Sequence, residues 1–258
     1  MLSQIAPEAG FETRSETGSD LAERFRAFIR DAAFPCVGAK SALSRNKMRI
    51  LVARDLASAW DDLRIVPELT RLAADYRQSP ELFQTLVVIF EQPEAIAEAE
   101  FEQYLWERVQ SLTDKDALWY GSPPDTRVSD DPEDPHFSLS FGGEAFFVVG
   151  LHPGASRPAR RFERPALVFN LHDQFEQLRA QNRYDKLRSA ILDRDLALAG
   201  TANPMLARHG ETSEAAQYSG REVGPDWQCP YIGRGGGING AGEAGAGGND
   251  DESLTDVA

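Results

Sequence analysis

The chain has 258 residues, 41% of them hydrophobic and 9% aromatic, enough for one large domain with a sizeable core. Its 41 Asp and Glu against 27 Lys and Arg leave a net charge of -14, which repels phosphate backbones and anionic lipid surfaces, so neither nucleic acid nor a membrane is expected as a partner. No apolar run reaches the roughly 20 residues that span a bilayer, and residues 1–20 lack the basic and apolar regions of an export signal. A cytoplasmic location is therefore expected, with Cys36 and Cys229 as free thiols.

In chain order, residues 1–18 are polar and predict a loose arm, and residues 19–232 a single folded domain. Asp20 followed by Glu23 is a capped helix start, and Leu21, Phe25, Phe28 and Ile29 share one helical face, predicting a helix over 20–33. Met48–Val52 predicts a strand, and the spacing of Leu56, Trp60, Leu63, Val66, Leu69 and Leu72 a helix after it. Leu82–Phe90 is short and β-branched, a buried strand; Phe101, Leu105 and Val109 mark a further helix. Prolines and acids at 122–124 and 130–135 break regular structure. Phe137–Phe141, a Gly142-Gly143 turn and the apolar Ala145–Leu151 predict a hairpin. Ala166–Phe169 predicts a strand, with Asn170 as the cap of a helix carrying Phe175, Leu178 and Leu187. Residues 233–258 are glycine-rich and acidic, the composition of a disordered tail. The fold class expected is mixed α/β: one domain, a central sheet that includes a hairpin, flanking helices and disordered termini.

Among the residues that carry chemistry, there is no P-loop, no G-x-G-x-x-G after a strand, no H-E-x-x-H and no C-x-x-C. Cys36 follows the first helix in FPCVGAK, where small Gly38 and Ala39 allow close approach of a flat ligand and their N–H groups can donate to a thiolate; a buried free thiol is the plainer alternative. His152 ends an apolar strand just ahead of Arg157, Arg160, Arg161 and Arg164, which in so acidic a chain suggest a local anion site; His152 is read either as a ligand or acid/base group or as a hydrogen-bonded structural residue. His172 is a candidate pocket residue, while His136 and His209 belong to loops. The polar stretches 203–206 and 210–221 have the composition of pocket loops, and Trp227–Tyr231 that of a packed closing segment.

Taken together and in order, FPCVGAKSAL (34–43), HFSLSFGGEAFFVVGLHPGASRPARRF (136–162), LVFNLHDQFEQLR (167–179), NPML (203–206), SEAAQYSGREV (213–223) and WQCPY (227–231) resemble the YqcI/YcgG family over about residues 20–231. That family includes haem-dependent N-hydroxylases of guanidine groups, among them the pre-guanitoxin N-hydroxylase of guanitoxin biosynthesis and the arginine hydroxylase of the D-cycloserine pathway. The resemblance implies a haem-dependent monooxygenase acting on arginine or a related guanidino compound with O2. Haem b, iron protoporphyrin IX, is the implied cofactor, with Cys36 as first choice of axial ligand and His152 as the alternative. Arg157, Arg160, Arg161, Asn170 and His172 are the other implied cofactor contacts. A guanidinium calls for a carboxylate partner, and of Glu144, Glu176 and Glu214 the last is ranked first, with Ser213, Tyr218 and Ser219 as its polar shell. No nicotinamide or flavin motif is present, so electrons are expected from a separate reductase or ferredoxin-like protein, or peroxide takes their place. The alternative function is a non-catalytic haem sensor or carrier.

Overall fold

The apolar run Leu86–Phe90 offers no polar face, and such a strand needs protein packed on both sides. The computed structural model describes residues 10–205 and 210–234 and meets that need with three layers. Strands β1 (Met48–Asp55), β2 (Thr85–Gln92), β3 (Leu139–Phe141), β4 (Glu144–Leu151) and β5 (Ala166–Leu171) form one mixed sheet in the order β1-β2-β5-β4-β3. β1 and β2 are parallel, with helix α3 (Asp62–Gln78) between them in the chain; the other neighbours are antiparallel.

Alternation along the strands divides the core. On one face Leu86, Val88 and Phe90 of β2 and Phe146 and Val148 of β4 pack with Leu69 of α3 and Phe101 and Leu105 of helix α4 (Glu98–Tyr120). On the other, Val87, Ile89, Leu151 and Ala166 meet Leu21, Phe25 and Ile29 of helix α1 (Gly10–Arg30) and Ala42 of helix α2 (Val37–Ser44). Helices α5 (Asp173–Ala180) and α6 (Tyr184–Ala199) and the one-turn α7 (Ala215–Tyr218) complete the domain. The expected mixed α/β sheet with flanking helices is what the chain forms.

Several local expectations are corrected. α1 begins at Gly10, well before Asp20, whose carboxylate pairs with Arg24 one turn on instead of capping. The strand expected from Leu82 begins at Thr85, after Phe83 takes a left-handed φ of 70°. The hairpin forms as expected, with Gly142 and Gly143 at φ 57° and 80°, the positive values a two-residue turn requires. Asn170 is no cap: it lies inside β5, opposite Thr85 of β2 and Phe147 of β4, and the cap position falls to His172, whose side chain makes no capping bond. The helix expected through Leu187 is two helices, separated by Asn182 at φ 54°. Tyr231 is buried and Trp227 and Cys229 pack beside it on the α3/α4 face, so the closing segment is ordered as expected. Residues 1–9 of the arm, His209 and the tail from residue 235 lie outside the described residues. No helix among the described residues is long and apolar enough to cross a membrane.

Candidate functional site

Helix α6 shows where the fold leaves room. Tyr184, Leu187, Ile191 and Leu192 recur at helical spacing on the side that faces the sheet, yet none of them is buried. An inward apolar stripe stays accessible only if the space beneath it is open, and a cavity of ≈ 340 Å³ lies there. That is within the roughly 300–1,000 Å³ of small-molecule and cofactor sites. Its floor is the α1/α2 face of the sheet, with Val87, Val149, Leu151 and Val168 in the middle and Thr85, Phe147 and Asn170 toward one end.

Cys36 stands on the cavity wall as the N-cap of α2, its Sγ accepting the Ala39 N–H at 3.4 Å. Burial pushes its thiol pKa up, and the Ala39 and Gly38 N–H groups pull it down. The expectation that these two backbone donors face the sulfur is therefore met. The short α2 itself is not announced by the sequence pattern; it starts where the Cys36 side chain turns back to cap it.

The acidic part of the cavity is built from three distant segments. Glu214, at the start of α7 and 5% exposed, accepts the Ser138 hydroxyl at 2.8 Å, and His172 Nε2 lies 3.6 Å from its other carboxylate oxygen. Both Glu214 and His172 line the cavity, as does Gln174, whose amide nitrogen donates to Gln84 O at 2.8 Å and Leu171 O at 3.3 Å. Of the shell expected around Glu214, Tyr218 stays near it, its pKa raised by burial and by the Glu214 carboxylate and its side chain hydrogen-bonded to Ser138, while Ser213 and Ser219 turn to other partners. Ser213 donates to Pro132 O and accepts the Ala215 N–H, Ser219 donates to Glu102, and Tyr218 is fully buried with its hydroxyl toward Phe146 O and its ring stacked on Trp106.

The basic part comes from the turn after β4. Arg157 pairs with Asp195 of α6, and Arg160 donates to the carbonyls of Gly150, Gln217 and Tyr218; both arginines line the cavity. Arg161 does not line it and donates instead to Ala155 O and Ser156 O, and Arg164 pairs with Glu94. Glu144 is held by Arg127 at 2.6 Å and Glu176 by Arg179; neither carboxylate lines the cavity, although Arg179 does.

His152 is on the wrong side of the sheet. One residue beyond β4, it follows the even-numbered positions of that strand and stacks on Phe101 of α4 at 4.3 Å, so it is not part of the cavity. Burial there lowers its pKa to about 4, with Arg160 adding to the shift and Glu98 opposing it. The structure thus brings Cys36, Arg157, Arg160, Asn170, His172 and Glu214 to one cavity, and leaves His152, Arg161, Ser213 and Tyr218 outside it. Sequence reading missed Asp195, Gln174 and the α6 stripe; the last was visible as spacing, though not as a lining.

The donor set fits a haem. There is one thiol on an otherwise apolar wall, a slot bounded by the sheet and α6, and cationic side chains at the margin for carboxylates. Among the described residues no cluster of three or more His, Cys, Asp or Glu forms a cage for a bare metal ion. Compared with known proteins, residues 25–232 match the family model described as the YqcI/YcgG family. No curated protein and no solved structure matches the chain.

Proposed function

Because the chain belongs to the YqcI/YcgG family, we propose that it is a haem-dependent monooxygenase that N-hydroxylates the guanidine group of arginine or a related guanidino compound. The observation that carries the proposal is the cavity that sets the Cys36 thiol and the Glu214 carboxylate in one lining. Cys36 would hold the cofactor through sulfur, with the Ala39 N–H partly offsetting the burial that raises its thiol pKa. Haem, when bound, supplies the activation of O2 that inserting one oxygen atom into an N–H bond demands. Glu214, which accepts the Ser138 hydroxyl, supplies the negative charge that a guanidinium pairs with, and His172 beside it provides a nitrogen through which a proton can pass. The apolar sheet floor and the α6 stripe exclude water from the reacting group.

The reaction consumes O2, two electrons and two protons and releases water with the N-hydroxy product. The electrons come from an external reductase or ferredoxin-like donor in the cytoplasm, or peroxide replaces O2 and electrons together. The alternative, a haem sensor or carrier, differs in one result: it binds haem without turnover under reductant and O2.

The test is the ferrous-CO spectrum of haem-reconstituted wild type beside Cys36→Ser and His152→Ala, with arginine turnover measured on the same samples. The expected result is a strongly red-shifted thiolate band, erased by Cys36→Ser and kept by His152→Ala, together with N-hydroxy product from wild type. No haem uptake, or a wild-type band without the thiolate shift, refutes the reading.

A further inference from the structure

Four arginines follow β4 closely, and the fold sorts them by partner. Arg157 is neutralised by Asp195 and Arg164 by Glu94, and Arg161 is spent on two carbonyls outside the cavity. Of these four, Arg160 both lines the cavity and makes its hydrogen bonds to backbone carbonyls, with no salt bridge to a carboxylate among the described residues. It is also held firmly. Its Nη1 donates to Gly150 O at 3.1 Å and Tyr218 O at 2.9 Å, and its Nη2 to Gln217 O at 2.9 Å. Gly220, at φ 84°, lets it lie there, since a Cβ at that position would come within 3.1 Å of the Arg160 Cδ and Nη1.

A guanidinium has five N–H donors, and these bonds use three of them. Two remain, the Nε–H and one Nη2–H, on neighbouring nitrogens. Carbonyl oxygens fix the side chain but do not cancel its charge; burial lowers its pKa to about 10, with the Asp195 carboxylate opposing the shift and Arg157 adding to it. A fixed guanidinium with no directly paired carboxylate and two adjacent donors matches the two oxygens of a carboxylate, and leaves most of a phosphate's oxygens without partners.

We propose that Arg160 is the carboxylate anchor of this cavity, pairing with an acid group of the molecule bound there, a step that rests on the cavity being a ligand site as read above. Two sources present that chemistry: a porphyrin propionate, or the α-carboxylate of a guanidino amino acid.

Titrations with the full chain separate them. The probes are metal-free protoporphyrin IX against its dimethyl ester, and L-arginine against agmatine, each with wild type, Arg160→Gln and Arg160→Lys. A charge-assisted pair is expected to favour the acid over the counterpart that lacks a free carboxylate by roughly ten- to a hundredfold. If the propionate is the partner, the diacid preference is present in wild type and lost in Arg160→Gln. If the amino-acid carboxylate is the partner, the arginine-over-agmatine preference is the one lost. Arg160→Lys, which keeps the charge without the fork, is expected to retain part of it. Each ratio is taken within one variant and so does not depend on its folded fraction, and circular dichroism melts check folding directly. Ligand binding with neither ratio altered by Arg160→Gln overturns the anchor while leaving the cavity's function intact. A wild-type chain that binds none of the four probes overturns both.

Discussion

Ile191→Trp tests whether the space beneath α6 is open in solution. Ile191 points from the helix into the cavity, with Leu187 and Leu192 on the same stripe, and is only half-buried. In a packed interior, several added carbons cost about 1–3 kcal/mol through forced rotamers and backbone shifts. In a domain of this size that lowers Tm by roughly 2–12 °C. Beneath α6 the added ring meets ≈ 340 Å³ of open volume instead of packed atoms. Each methylene equivalent it removes from water then contributes about 0.8 kcal/mol. The expected outcome is an unchanged or raised Tm by calorimetry of the cofactor-free chain, together with at least a tenfold loss of protoporphyrin IX affinity by absorbance titration. A fall in Tm of the packed-core size with porphyrin affinity preserved would refute the reasoning, since it would mean that side chains already fill the space.

Two further outcomes check the α4 side of the sheet. Gly150→Ala places a Cβ 2.6 Å from the Phe101 ring and 2.9 Å from Leu105, both fully buried, and is expected to destabilise the fold by about 1–3 kcal/mol in denaturant melts; an unchanged midpoint contradicts the packing described. His152, with its pKa lowered to about 4 from 6.5, binds a proton more readily in the unfolded chain, so stability is fully present above about pH 6.5 and is lost as pH falls toward 4. The loss between pH 7 and pH 5 is expected to be about 2 kcal/mol, and His152→Leu to flatten that part of the profile. An equal slope in wild type and variant would show that the imidazole is not held neutral.

The sequence by itself determined the layered α/β plan. A strand such as Leu86–Phe90 with no polar face must be covered twice, and Gly142-Gly143 between two apolar runs closes a hairpin through its positive φ values. It also placed Cys36 among small residues whose N–H groups face its sulfur, because capping is local and spans only three residues.

Only the tertiary structure decided which residues share the cavity. Both faces of the sheet are apolar, so the pattern along β4 does not say which face carries an open space. That depends on α6, which covers its side without filling it, while α4 presses Phe101 against the other. In sequence Cys36 was the first choice of ligand and His152 its alternative, and strand parity, one residue past the end of β4, takes His152 to the other face. Glu214 gained Ser138 and His172 as neighbours from segments far away along the chain, in place of the adjacent Ser213. Hydrogen bonds between side chains so distant in sequence are set by how the layers pack, and packing is a property of the whole chain, which no local window encodes.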